Sequence, residues 1–294
     1  MRLSLAVAAK APCDPRPFLD ALAAERLLDQ DDVDVHLAHD ALWQLDGAER
    51  PRFLHLHHCP DVASVLRLWG VALARSHGTY VAALDVSCPP EAGWLRRALA
   101  EIELGTPLFF GPVEPGWAAN DPRILGYLVE YAQFKRPFAG TLDEVPGNNV
   151  VCRRELLAPA NELVERGFFK TFTVWRLARE RGLSPRQVDE MAVVYRKGFG
   201  LSSYLRRRRV HGRCFAAMRH GNPGQPLKLL CLAATPLLPV LRCARIYRAV
   251  RPHGELAAAF FRHLPWVLLA ETAWSFGEFL GYARGERGAC AGLD

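Results

Sequence analysis

Four groupings of residues in this sequence can do chemistry. The first is Asp85, in Ala83-Leu84-Asp85-Val86-Ser87-Cys88-Pro89-Pro90. A carboxylate that ends an apolar run and precedes a proline turn is placed to hold a divalent cation. Mg2+ and Mn2+ take one or two protein carboxylates and complete their shells with water and substrate phosphate oxygens. The same Asp can instead cap the turn that follows it. The second grouping is Asn148-Asn149, after Pro146-Gly147. These amides can orient a sugar or satisfy the loop backbone. The third is His55-Leu56-His57-His58-Cys59, where His55 and His57 would share one strand face. A metal site needs three or four converging ligands. The sequence shows no partner for this run elsewhere, so it reads as a strand-end histidine cluster without a metal. The fourth is the run Arg206 to Arg209, followed by Arg213, Arg219, Lys228, Arg242, Arg245, Arg248 and Arg251 among apolar segments.

Positioning these groups requires a frame. Arg2–Ala9 reads as a buried strand bounded by Pro12. Asp14-Pro15 opens a helix that runs through Phe18 to Leu28. Val33, Val35 and Leu37 alternate up to His39-Asp40, and Phe53, Leu54 and Leu56 make a third strand. Asp61 is expected to cap a helix reaching His77, and Thr79–Leu84 forms a fourth strand ending at Asp85. Glu91–Leu104 is an amphipathic helix, Leu108–Gly111 a strand and Asp121–Phe134 a helix. Such alternation predicts an α/β fold with a mostly parallel sheet flanked by helices. Ligands of such sheets bind beyond the carboxyl ends of the strands, which singles out Asp40 and Asp85.

The stretch SHGTYVAALDVSCPPEAGWLRRAL, around Asp85, resembles the segment of family 2 glycosyltransferases that carries their Asp-x-Asp motif. Further stretches agree in order and spacing: Gly111-Pro112-Val113, LGYLVEYAQFKRPFAGTLDEVPGNNVVCRRELL, GFFKTFTVWRLARERGL, VVYRKGFGLSSYLRRRRVHGRCFAAMR and the closing WSFGEFLGYARG. The likeness spans most of residues 1–284 and implies a GT-A (Rossmann-like) fold. It divides the chain into a nucleotide-sugar transferase domain, 1–198, and a basic, apolar helical region, 199–294. The implied activity is inverting transfer of a sugar from a nucleotide-diphosphate donor to a lipid-linked or otherwise membrane-near acceptor. A non-catalytic, donor-binding relative is the alternative.

Three departures weaken the implied chemistry. The metal motif reads Asp85-Val86-Ser87, so its second acid is a serine. The helix that ordinarily opens with the catalytic acid reads Lys170-Thr171, and the position commonly histidine is Tyr195. Inverting transfer needs a base for the acceptor hydroxyl and a cation for the leaving diphosphate. The resemblance therefore implies Asp40, Asp85 and Ser87 for the donor, with Asp85 on a weakened Mg2+ or Mn2+ site, and Asn148 and Asn149 for the acceptor. Lys170 is a poor base unless strongly desolvated; it can neutralise a diphosphate or simply start a helix near solvent. Asp143 and Glu144 are the nearest substitutes for the missing acid.

Composition narrows the partners. The 294 residues are 50% hydrophobic and 23% charged, with a formal net charge of +6, enough for a globular core and against disorder. A basic balance favours an anionic partner. No helix-turn-helix, zinc-finger or RNP-like pattern is present, so nucleic acid is not expected. Nor is there a dinucleotide-binding glycine motif, a P-loop or a nucleophile elbow. The eight cysteines have no Cys-x-x-Cys spacing and, with no signal peptide evident, are expected to be free in a reducing cytosol. Leu227–Leu241 is interrupted by Pro236 and Pro239, and Leu256–Tyr282 carries Arg262, Glu271 and Glu278. Both are expected to lie on the cytoplasmic face of an anionic membrane as interfacial helices rather than cross it.

Overall fold

The computed structural model describes residues 2–25, 32–41, 52–62, 64–138, 140, 142, 144–157, 178–219 and 225–284. They divide into two compact units, one of residues 1–114 and 134–196, the other of residues 115–133 and 197–294.

The first unit is built on a seven-stranded sheet. Its strands are β1 (Leu3–Ala9), β2 (Val33–His39), β3 (Leu54–His58), β4 (Tyr80–Asp85), β5 (Leu108–Phe110), β7 (Asn149–Arg153) and β8 (Arg186–Gln187), in the spatial order β3-β2-β1-β4-β7-β5-β8. β6 (Val113–Pro115) and β9 (Val193–Tyr195) form a separate pair. β3, β2, β1 and β4 run parallel, and β7 lies antiparallel between β4 and β5. Every residue of β1, β2 and β4 is buried. Strands covered on both faces need near-continuous apolar sequence, which LSLAVAA and YVAALD supply. The sheet is mostly parallel and flanked by helices, as expected.

Helices α1 (Arg16–Ala23), α2 (Val65–Arg75) and α3 (Trp94–Glu103) complete this unit. The cap of α2 corrects the sequence reading: Ser64, not Asp61, accepts from Arg67 N at 3.2 Å. Ser is as good an N-cap as Asp, and here it immediately precedes the first helical residue. The first predicted helix is shorter than expected: it ends at Ala23, with Ala24 as its C-cap, rather than near Leu28.

The second unit is helical: α4 (Ile124–Glu130), α5 (Leu201–Arg219), α6 (Gln225–Ala234), α7 (Leu238–Val250) and α8 (Gly254–Arg284). α5 and α8 pack at backbone distance. A Cβ on Gly212 would stand 2.1 Å from Trp274 O, and one on Gly277 2.0 Å from Arg209 O. Only glycine permits that approach.

Between these helices lies a buried ion network. Arg208, 2% exposed, donates to Glu271 at 3.0 Å, and Glu271 is also bound by Arg242. Arg207 meets Glu130 at 3.0 Å. Arg206 and Arg209 are exposed. The arginine run is thus not a uniform surface feature. Successive helical residues turn about 100°, so one of four consecutive arginines must face the interior, where Glu271 compensates it. Cys214 is disulfide-bonded, which corrects the expectation that all cysteines are free; linear spacing carries no information on which thiols meet in space.

Pro236 and Pro239 do not end the helical path. A 3-10 turn at Thr235–Leu237 joins α6 to α7, and Pro239 sits in the first turn of α7, where its missing N–H costs nothing. The stretch Pro226–Val250 is long and apolar enough to cross a membrane by length and composition, and only 17% of its most apolar window is buried. Leu229, Leu230, Val240 and Leu241 on it, and Phe261, Trp266 and Phe276 on α8, are exposed.

Candidate functional site

Asp85 is the last residue of β4 and is 8% exposed. Its backbone carbonyl accepts from Cys88 N at 2.8 Å, closing a tight turn, while its Oδ1 accepts from Ser87 N at 2.8 Å and from Ser87 Oγ at 2.6 Å. Both readings of Asp85 therefore coexist: it caps the turn, and it presents a carboxylate at the strand end. The turn is fixed from the far side. Arg196 N donates to Ser87 O at 2.9 Å and Val194 N to Pro89 O at 2.9 Å, so the loop after Asp85 is laced to β9, which carries the buried Tyr195.

β7 delivers the amides. Leu84 on β4 is in register with Asn149 on antiparallel β7, which brings Asn148 beside the Asp85 turn. Asn148 is 1% exposed; its Nδ2 donates to Cys88 Sγ at 2.9 Å, and its Oδ1 has no hydrogen-bond partner among the described residues. Asn149 is committed to the frame. Its Oδ1 accepts from Trp94 Nε1 at 2.8 Å, and its Nδ2 donates to Pro112 O at 2.9 Å and Met191 O at 2.7 Å. The backbone passes closely here: a Cβ on Gly111 would fall 1.7 Å from Met191 O.

Asp40 follows β2 at the same end of the sheet. Ala9 on β1 is in register with His39, and Ala8 with Asp85. Asp40 and Asp85 thus flank β1 on the carboxyl edge, two strand spacings or about 10 Å apart across the sheet. Asp40 Oδ2 accepts from Lys10 Nζ at 2.8 Å and its Oδ1 from Ala11 N at 2.9 Å. Burial tends to raise the Asp40 pKa, but the Lys10 ammonium and the Ala11 amide outweigh it and hold the carboxyl below its ordinary value. Lys10 escaped the sequence reading. Its signal was its place as the residue directly after β1, on the edge where ligands gather.

Glu144 is exposed, four residues ahead of Asn148. Lys170 and Asp143 lie outside the described residues. A second feature missed in the sequence is an ion cluster in the segment just before that loop. Arg136 reaches Glu91 at 2.7 Å and Glu114 at 3.3 Å, and Lys135 reaches Glu114 at 2.5 Å. A cavity of roughly 880 Å3 opens at the opposite end of β4, between Gly78, Tyr80, Arg153 and Arg154, away from the strand-end carboxylates.

The histidine run lies on β3, the edge strand, and β2 supplies the partners that the linear sequence hid. His36 is in register with His55, and their rings stack with centroids 4.8 Å apart. His36 Nε2 lies 2.9 Å from Asp34 Oδ2, and His36 Nδ1 lies 3.0 Å from His57 Nε2. Burial, then the charges of His36 and Arg75, lower the pKa of His57 to about 4.

No family model matches the sequence, and no curated protein does. Solved structures do resemble the fold. TarS 1–349 of S. aureus in complex with UDP-GlcNAc superposes with a TM-score of 0.50 at 14% identity, covering 97% of this chain and 93% of that one. A mannosyltransferase from Pyrobaculum calidifontis in complex with GDP-Man and Mn2+ gives a TM-score of 0.49 at 18% identity, covering 96% and 87%. At these identities the likeness to TarS speaks for the fold, and the fold of this chain is GT-A-like.

Proposed function

We propose that this protein is a glycosyltransferase of the family 2 kind, which takes a sugar from a nucleotide-diphosphate donor. The observation that carries the reading is the joint placement of Asp40, Asp85 and Asn148 at the carboxyl edge of one sheet, where such folds bind ligands. The GT-A-like fold, shared with a protein solved with UDP-GlcNAc, supports it.

In this reading Asp40 faces the base or ribose of the donor, and Lys10 keeps it ionised and oriented. Asp85 and Ser87 would hold a divalent cation, whose charge offsets that of the leaving diphosphate. The donor set fits Mg2+ or Mn2+ in reduced form: one carboxylate and one hydroxyl, all oxygen, with phosphate oxygens and water to complete the shell. Asn148 meets the acceptor through its amide oxygen, while Asn149 fixes the strand that carries it. Asp143 or Glu144 takes the proton of the acceptor hydroxyl, and Lys170 stands against the diphosphate. Transfer is inverting.

The acceptor lies near a membrane. The exposed leucines of Pro226–Val250 and the exposed Phe261 and Trp266 of α8 support this. So do the exposed Arg245, Arg248 and Arg251, since basic side chains near an anionic surface each add attraction of about 1 kcal/mol. The location that follows is peripheral, on the cytoplasmic face.

A second reading has its own support. With Ser87 donating twice to Asp85, the site carries one negative charge where two are usual, which suits a donor-binding protein without turnover. Calorimetry against UDP-, GDP- and dTDP-sugars, with and without Mn2+, tests both. Donor binding lost in Asp85→Asn, with release of the nucleotide on adding lipid extracts, supports the enzyme. Binding without release supports the second reading, and no binding to any donor overturns both.

A further inference from the structure

We propose that Asp34 and His36 on β2, with His55 on β3, form a zinc-class metal site that clips the edge strand to the sheet, separate from the strand-end carboxylates. One ligand atom from each of the three residues lies within 4.8 Å of the others. The convergence follows from the register. In parallel strands the side chains of residues i and i+2 share a face, so Asp34 and His36 stand together, and pairing of His36 with His55 adds the third member. His57, two residues on from His55, approaches the far nitrogen of His36 at 3.0 Å. That contact orients the His36 ring and fixes its tautomer, as outer partners of metal-bound histidines do.

The chemistry of the set selects the ion. Two imidazoles and a carboxylate suit zinc, copper or nickel, whereas magnesium and calcium prefer oxygen alone. Tetrahedral zinc with bonds of about 2.0–2.1 Å places its ligands about 3.4 Å apart. Asp34 and His36 are already closer than that, at 2.9 Å. His55 is exposed, so its ring can swing inward by the remaining gap of about 1.4 Å between 4.8 and 3.4 Å. Asp34 gives an independent pointer to a ligand. Asp34 is 3% exposed, and although the Ser4 side chain on β1 helps to lower its pKa, its Oδ1 makes no well-formed hydrogen bond among the described residues. A buried carboxylate oxygen left unpaired costs free energy that a cation would recover.

A site at this depth serves the fold rather than transfer. Asp34 and His36 lie in the body of β2, short of its carboxyl end at His39. β3 is an edge strand of five residues held on one side only. A bond from His55 to a metal shared with β2 would pin it where backbone pairing ends.

The test uses the full chain, stripped with chelator, titrated with Zn2+ by calorimetry and with Co2+ by visible absorption. The proposal expects one saturable equivalent, visible bands of low-symmetry cobalt with imidazole ligands, and a higher melting temperature with zinc. His55→Ala, an exposed change, should keep the chelated melting temperature, weaken zinc at least tenfold and abolish the zinc-induced rise. His58→Ala, three positions further along the same strand, should leave all three unchanged, and Asp85→Asn should leave the zinc affinity and the zinc-induced rise unchanged. No saturable equivalent in the micromolar range, or zinc binding that survives His55→Ala, overturns the proposal. Because Asp85→Asn is the variant that disables the donor site, failure of the one reading is distinguishable from failure of the other.

Discussion

Ser87 donates to Asp85 Oδ1 twice, once from its backbone and once from its hydroxyl, at 2.8 and 2.6 Å. The residue that stands where the family resemblance implies a second acid is thereby a donor to the first. A second carboxylate at that position would add charge and remove one of the two donors. Ser87→Asp is therefore expected to tighten Mn2+-dependent donor binding by about tenfold or more, since hard cations are held chiefly by carboxylate charge. Calorimetry with a nucleotide sugar, with and without Mn2+, reads the effect; equal affinities in the two proteins would count against a metal at Asp85.

The two adjacent asparagines should separate cleanly. Asn149→Ala strands Trp94 Nε1 and Met191 O, while Pro112 O keeps Val193 N, at about 1–3 kcal/mol for each group left unpaired. Its melting temperature should fall by many degrees. Asn148→Ala removes one contact to Cys88 and an oxygen that already lacks a partner. That variant should melt close to the parent while losing transfer or acceptor affinity. Denaturation curves and a transfer assay on both variants decide it.

Glu271 is fully buried and is held by Arg208 and Arg242. Arg208→Met should cost up to about 3 kcal/mol, because buried Glu271 keeps its desolvation penalty with Arg242 as its remaining partner. Adding Glu271→Leu should return part of that loss. Chemical denaturation of the two single variants and the double variant gives the coupling; simple additivity would mean that the pair does not act as a unit.

Acid should weaken the chelated protein before ordinary carboxylates titrate. The folded pKa of His57 lies at about 4, below the usual 6.5, so between those values the unfolded chain binds the extra proton. Stability contributed by neutral His57 is present above about pH 6.5 and is lost as pH falls towards 4. Melting temperatures at a series of pH values, compared with His57→Gln, test the sign. The variant should show a flatter profile across that window.

Membrane association should need both the apolar and the basic surface. Phe261→Glu with Trp266→Glu should reduce co-sedimentation with anionic vesicles, and added salt should reduce it further by screening. Equal sedimentation with neutral vesicles would remove the role of Arg245, Arg248 and Arg251.

The parallel half of the sheet was legible because burial on both faces leaves mostly apolar residues in β1 and β4 and an apolar alternation in β2. Asp40 and Asp85 were legible because they end such runs. β7 and β9 were not, as each is short and owes its place to distant pairing rather than to periodicity. The partners of the histidine run were hidden for a related reason: Asp34 and His36 stand 21 and 19 positions before His55, and only strand register brings them together. The burial of Arg208 was not legible, because the sequence gives its type and not the direction of its helical face.

The glycine seam between α5 and α8 orders events during synthesis. Gly212 and Arg208 on α5 emerge from the ribosome well before Gly277 and Glu271 on α8. Until α8 arrives, α5 lacks the helix it packs against at backbone distance, and Arg208 keeps only its longer contact to Glu130 on α4. The helical unit therefore completes late, through the docking of one long helix. A chain halted before residue 254 should be retained by chaperones, even though its sheet residues have already been made.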